Sequence, residues 1–386
     1  MGSNLILKNF NYKTKLKKQK NLFKYFKKIN NLEWPDFLKS FKKNYKYSYD
    51  KKIIKKYNYI KNINIIGMGG SSLGTKAIYN FFINKIKKKI TFSENLNLKK
   101  ENINKGLNII ISKSGNTLET IINSNSAINN KNKNIFITEK TNNYLEKLAN
   151  KLKSDVVEHK NFIGGRFSVL SEVGMLPSQL MGLKENKFKQ YNNLIVQKKF
   201  LKNLIHNTLC IHEFIKKKKF NSVILNYDPH SEDFFKWYQQ LVSESLGKKS
   251  KGILPVISTM PKDNHSILQL YLSGFKSNFY TFYIVEEKNS RKLNSKFLFD
   301  NFKFLKQKNT FDVLNAQRIA TENIFRYKKM PYRSFYIKKR NEETLGELFC
   351  FFTLEVILLS HLLKIDPLNQ PEVELVKKET FKILKK

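Results

Sequence analysis

The chain has 386 residues, 41% of them hydrophobic and 13% aromatic, which is enough for a large core and for two domains rather than one. A formal net charge of +41 invites a nucleic-acid or membrane-surface reading. Against that reading, Lys, Asn and Ile are over-used almost everywhere, the Lys residues gather on no single element, and no RNP, zinc-finger or basic-zipper pattern accompanies them. The charge reads as compositional drift, with no specific nucleic acid and no membrane as partner. The run 348–359 is broken by Glu355 and too short to span a bilayer, and the first residues lack the apolar segment of a signal peptide. A soluble cytoplasmic protein is expected. Cys210 and Cys350 lie among apolar residues and read as reduced core thiols; no metal-ligand spacing occurs.

Residues 1–50 are dense in Lys, Asn and Phe. Leu22, Phe23, Tyr25, Phe26 and Ile29 suggest one amphipathic helix, ended by Trp34-Pro35, in a peripheral arm. The apolar run 63–66 then leads into Gly67-Met68-Gly69-Gly70-Ser71-Ser72 and a helical pattern through Ala77, Ile78 and Phe81. This predicts a buried strand, a tight turn and a helix N-terminus, where free N–H groups favour an anion. The glycine spacing is neither the dinucleotide fingerprint nor a Walker loop. A second buried strand, 107–111, runs into Ser112-Lys113-Ser114-Gly115-Asn116-Thr117 and another helix. Hydroxyls clustered at a strand end can surround phosphate oxygens, although a single Ser there would serve as an N-cap. A third strand is predicted over 134–138 and a helix over 144–152. The βαβ rhythm implies a parallel sheet flanked by helices, with its site at the carboxyl ends of the strands. Next comes Gly164-Gly165-Arg166-Phe167-Ser168, whose glycines leave the backbone free to place Arg166 in a cleft.

A long linking helical region is expected over 176–219. The rhythm restarts with a strand over 222–227 and a helix that begins near Ser231 and ends at Gly247. On it Gln240 and Glu244 are spaced i, i+4 and share a face. The polar turn Lys262-Asp263-Asn264-His265-Ser266 follows, then a strand over 279–285, helices over 316–325 and 344–363, and a terminal helix opened by Asn369-Gln370-Pro371. The expected layout is a peripheral arm (1–50), two α/β domains (51–190 and 191–345), each a mainly parallel sheet in a three-layer αβα arrangement, and C-terminal helices (346–386).

Taken together, these motifs resemble the glucose-6-phosphate isomerase family, which is built from two sugar-isomerase (SIS) domains. Gly67-Met68-Gly69-Gly70-Ser71 is similar to its Gly-Ile-Gly-Gly-Ser turn, and 112–120 resembles its Ser-Lys-(Ser/Thr)-x-x-Thr-x-Glu-Thr phosphate loop. The segments 164–168, 239–248, 261–266 and 369–377 resemble, in the family's order, its Arg segment, its catalytic-glutamate helix, its histidine turn and its C-terminal Asp-Gln-Pro-x-Val-Glu…Lys segment. Asn369 stands where the family has Asp, Val376 stands where many members have Gly, and the first 50 residues match nothing in the pattern.

The resemblance implies an aldose–ketose isomerase of glycolysis and gluconeogenesis that interconverts glucose 6-phosphate and fructose 6-phosphate through an enediolate. A bifunctional glucose/mannose-6-phosphate isomerase and a non-catalytic sugar-phosphate-binding SIS protein are the alternatives. By the resemblance Glu244 is the base that moves a proton between carbons 1 and 2, and Arg166 steadies the enediolate without acting as an acid. His265 and Lys377 are implied in opening the sugar ring. Ser112, Lys113, Ser114 and Thr117 are implied at the 6-phosphate, and Gly70, Ser71, Gly165, Gln240 and Gln370 at the sugar. No cofactor and no metal are implied. The partner is a second copy of the chain, with His265 reaching the partner's site.

Overall fold

The computed structural model describes residues 4–31, 36–96 and 106–386. Trp34 and Pro35, expected to end the first helix, lie outside the described residues. The strands are β1 (Leu5–Lys8), β2 (Asn62–Ile66), β3 (Lys89–Ser93), β4 (Leu107–Ile111), β5 (Lys133–Thr138), β6 (Asp155–Glu158), β7 (Asn221–Asn226), β8 (Leu254–Thr259), β9 (Asn278–Val285) and β10 (Tyr332–Ile337). Among the described residues they form two five-stranded sheets, ordered β3-β2-β4-β5-β6 and β8-β7-β9-β10-β1. Every pairing is parallel except that of β1 with β10. The inner strands are near-continuous apolar runs, because helices cover both their faces; β4 and β9 are buried at every residue.

The two sheets share one plan. In each, the first strand sits between the second and the third, and the fourth lies outside the third. Only the fifth place differs: parallel β6 fills it in the first sheet, antiparallel β1 in the second. The amino-terminal segment is therefore more than the peripheral arm expected from its composition. Leu5 pairs with Ile337 and is buried. The helix Leu16–Asn31 that follows is tied to the helix Lys198–Lys216 by Lys18 Nζ and Glu213 Oε1 at 2.5 Å. The expected linking region 176–219 is a series of short helices ending in that long one.

The halves meet where the helix Leu73–Phe81, after β2, packs on the helix Glu232–Leu246, after β7. Asn80 donates to Asp233 across this boundary, and Arg340 holds both Asp228, at 2.8 Å, and the Phe81 carbonyl, at 3.2 Å. The expected limit at residue 345 falls inside the helix Glu342–Leu363. By length and composition that helix could cross a membrane, yet it is buried along nearly its whole length within the molecule. Its interruption, Glu355, takes both terminal nitrogens of the fully buried Arg333, at 2.5 and 2.9 Å. Removing one partner of such a pair strands a buried charge and costs about 3–5 kcal/mol. Cys210 and Cys350 are buried free thiols.

Candidate active site

The site is built at the carboxyl ends of β2 and β4, on either side of the point where the chain's crossover direction reverses. β2 runs into the turn at Gly67–Ser71. Gly69 has φ +54°, and a Cβ there would lie 2.8 Å from Gln240 Nε2. Gly70 packs directly on the backbone of Gly165, so any side chain at 70 would collide with it. Ser168 fastens the two segments, donating to the Gly70 carbonyl at 3.2 Å and to the Gly165 carbonyl at 2.7 Å. The glycines thus bring the first turn and the Arg166 segment into main-chain contact. Ser71 is half-buried beside them.

Arg166 starts from this contact and spans three elements. Its Nε lies 3.0 Å from Glu244 Oε2, NH2 donates to Gln370 Oε1 at 2.6 Å, and NH1 donates to the Pro367 carbonyl at 3.0 Å. The side chain is only 5% exposed. Burial lowers its pKa, while Glu244 and Asp366 pull the other way. The spacing of Gln240 and Glu244 on their helix puts Gln240 Nε2 2.8 Å from Glu244 Oε1. Glu244 Oε1 thereby accepts one protein hydrogen bond, Oε2 is held in the ion pair with Arg166, and both keep lone-pair capacity for a ligand. Gln240 Oε1 is buried and has no protein partner, an acceptor in search of a hydroxyl donor.

On the neighbouring strand, β4 ends in the hydroxyl loop. Gly115 adopts φ +65°, and Asn143 occupies the space a Cβ there would need. Ser112 Oγ and Thr117 Oγ1 lie 2.9 Å apart, and Ser114 Oγ accepts from Asn116 N at 3.3 Å. Thr117 is the N-cap of the helix Leu118–Ala127 but makes no side-chain cap bond. The first N–H groups of that helix are left to whatever the loop holds, as an anion site requires. Lys113 turns aside, donating to the Asn161 carbonyl at 2.6 Å and lying 3.6 Å from Glu139.

Gly70, Ser71, Gly165, Arg166, Gln240, Glu244 and Gln370 come together, and the loop of Ser112, Ser114 and Thr117 follows the strand next to theirs. Two of the expected residues stand apart. His265 is exposed, on a short turn after β8 that buries no residue, and makes no hydrogen bond among the described residues. Lys377 pairs with Glu374 at 2.6 Å on the helix Pro371–Leu384, which buries none of its residues. Sequence reading missed Lys248 and Asp366. Lys248 Nζ donates to the Asp366 carbonyl at 2.6 Å, and its pKa is lowered by burial and then by the charge of Arg166. Lys248 directly follows Gly247, where it reads as no more than a cation ending a helix; only the tertiary fold shows that it lies behind the Arg166–Glu244 pair.

Two mainly parallel sheets of one plan, with a carboxylate–guanidinium pair where the halves meet and a hydroxyl loop at the end of the neighbouring strand, define a protein of the double sugar-isomerase (SIS) class. The family model for phosphoglucose isomerase matches residues 35–386. A glucose-6-phosphate isomerase of Methanocaldococcus jannaschii is 32% identical over 351 residues, covering 86% of each chain. One from Mycoplasmopsis pulmonis is 31% identical over 407 residues, covering 93% of each. Among solved structures, a hypothetical protein from Thermus thermophilus shares the fold with a TM-score of 0.81 at 20% identity, over 95% of this chain and 94% of that one. The chain belongs to the phosphoglucose isomerase family.

Proposed function

We infer that the chain interconverts glucose 6-phosphate and fructose 6-phosphate, and the observation that carries this is the 3.0 Å contact between Arg166 Nε and Glu244 Oε2. Opening of the sugar ring first exposes the carbonyl. The Glu244 carboxylate then takes the proton from carbon 2 of the aldose. The electron pair shifts to give an enediolate, whose negative charge lies against the fixed cation Arg166. Return of the proton to carbon 1, with one proton exchanged between the two oxygens, gives the ketose. Atoms and electrons balance within the substrate, so no external oxidant or reductant enters.

In this reading the 6-phosphate lies in the loop of Ser112, Lys113, Ser114 and Thr117, held by hydroxyls and the helix N-terminus. Backbone at Gly70 and Gly165, with Ser71, Gln240 and Gln370, meets the sugar hydroxyls; the unpartnered Gln240 Oε1 supports that placement. His265 and Lys377 serve ring opening. The exposure of His265 away from its own Arg166 supports a homodimer in which it acts in the partner's site. Lys377 lies on the helix whose N-cap is Gln370, seven positions on. A cytoplasmic setting goes with a substrate that its phosphate keeps from crossing membranes. The deciding experiment incubates purified protein with fructose 6-phosphate and detects glucose 6-phosphate with a coupled enzyme. Turnover is expected; its absence in a folded sample would reject the reading.

A further inference from the structure

The shared plan of the two sheets means that the second sheet has its own crossover reversal, between the carboxyl ends of β7 and β9. In sheets of this kind that is where a ligand crevice forms. A cavity of about 620 Å³ lies there, reached from Asp228 after β7 and Glu287 after β9, well within the size range of small-molecule sites. None of the site residues described above lines it. We propose that this cavity is a second, separate binding site, for a neutral polyhydroxylated ring: an unphosphorylated hexose or cyclic polyol.

Its floor is apolar. Phe311 and Leu314 are partly buried and pack on the second sheet's core, offering the flat surface against which the C–H face of a sugar ring rests. Around it stand His230, Glu287, Asn289 and Gln317. None of these four side chains makes a hydrogen bond or salt bridge among the described residues. A carboxylate, two amides and an imidazole supply both donors and acceptors, as vicinal hydroxyls require. The one strong cation among the described lining residues, Arg340, gives both terminal nitrogens to Asp228, at 3.2 and 2.8 Å, and keeps only a buried Nε.

The lining also excludes phosphate. The chain carries 72 Lys and Arg residues, yet among the described residues no Lys lines this cavity. In the first sheet, the helix after β4 begins with an N-cap that makes no side-chain bond. In the second, the corresponding helix, Thr310–Tyr327, is closed by its own residues. Asn309 Oδ1 accepts from Asp312 N at 3.0 Å, Asp312 Oδ2 accepts from Asn309 N at 2.9 Å, and Ser290 Oγ accepts from Phe311 N at 3.1 Å. Both helices carry an acid in the first turn, Glu119 and Asp312, but only the second has its first N–H groups taken by side chains, so a phosphate there would find none free. The pseudo-equivalent site thus keeps the sugar-binding character and has lost the means to hold an anion.

Saturation-transfer NMR on the full-length protein tests this, with myo-inositol and glucose as probes. Transfer to both is expected, it should persist in saturating fructose 6-phosphate, and it should fall at least about fivefold in Leu314→Trp, which fills the cavity. The double variant Glu287→Ala/Asn289→Ala changes only exposed positions and decides the matter if Leu314→Trp fails to fold; the same loss is expected, with isomerase activity unchanged. Absence of transfer in the wild type, its abolition by fructose 6-phosphate, or full retention in the double variant would each overturn the proposal.

Discussion

Arg166 NH2 donates to Gln370 Oε1 at 2.6 Å, and Gln370 is the residue at which the terminal helix starts. One guanidinium therefore holds both the carboxylate of Glu244 and the root of the helix that carries Lys377. Seven positions advance an α-helix by about 10 Å and return to nearly the same face, and side chains lean back toward the N-terminus. Lys377 accordingly leans toward the start of its helix and pairs with Glu374 there. The geometry makes Arg166 the hub of the site.

Glu244→Gln keeps the shape and the bond from Gln240 but cannot accept a proton from carbon. Turnover is expected to fall by about two to four orders of magnitude with the fold retained. Steady-state kinetics alongside urea unfolding separates the two effects. A rate near that of the wild type would move the base elsewhere.

The hydroxyl loop is tested by Ser114→Ala combined with Thr117→Ala. A hydrogen bond to a charged group is worth about 1.5–3 kcal/mol, so KM for fructose 6-phosphate should rise at least about tenfold while the ratio of forward to reverse rates is unchanged. An unaltered KM places the phosphate outside this loop.

The proposed shared-site homodimer predicts complementation. Glu244→Gln and His265→Ala are each expected to be inactive. When their subunits are exchanged, a mixed dimer carries both lesions in one site and none in the other. Activity should return to about a quarter of wild type by random pairing in a symmetric dimer. No recovery, with exchange confirmed by mass, would show that His265 does not act across an interface.

Lys189 supplies a pH prediction remote from the chemistry. Its ammonium is buried, donates to the carbonyls of Ser40 and Leu170, and lies over the rings of Tyr45 and Tyr47. Burial pushes its pKa down to about 7, against about 10.4 in an unfolded chain. Between those values the unfolded state holds the proton and the folded state does not, so this group's contribution to stability rises with pH and is lost as pH falls toward 7. The slope is at most about 1.4 kcal/mol per pH unit. Urea midpoints from pH 7 to 9.5 should climb more steeply in the wild type than in Lys189→Met; parallel curves would remove Lys189 from the account.

The parts of the fold legible in the sequence were those specified locally. The runs at 63–66, 107–111 and 279–285 read as buried strands because helices cover both faces of each sheet. Gly67 to Ser71 and Gly164 to Ser168 read as turns because only glycine allows the backbone contact between Gly70 and Gly165. β8 was hidden by Pro255, which an edge strand tolerates and an inner strand would not. β1 was hidden because four residues carry little pattern and its stability comes wholly from a partner at the far end of the chain. Within the site, the Gln240/Glu244 face was readable from helical spacing, whereas the convergence of Arg166, Pro367 and Gln370 is long-range and no local signal encodes it.

The pairing of β1 with β10 also sets a timetable. Leu5 leaves the ribosome 332 residues ahead of its partner Ile337. At synthesis rates of about 5–20 residues per second, the strand waits roughly 15–65 s for its place in the sheet. Over most of that interval the first sheet, complete by Glu158, can already be folded. Leu5 and Leu7 meanwhile face solvent in a segment that could pair with any open edge, and the neighbouring charges of Lys8, Lys13 and Lys15 act as gatekeepers against aggregation during translation.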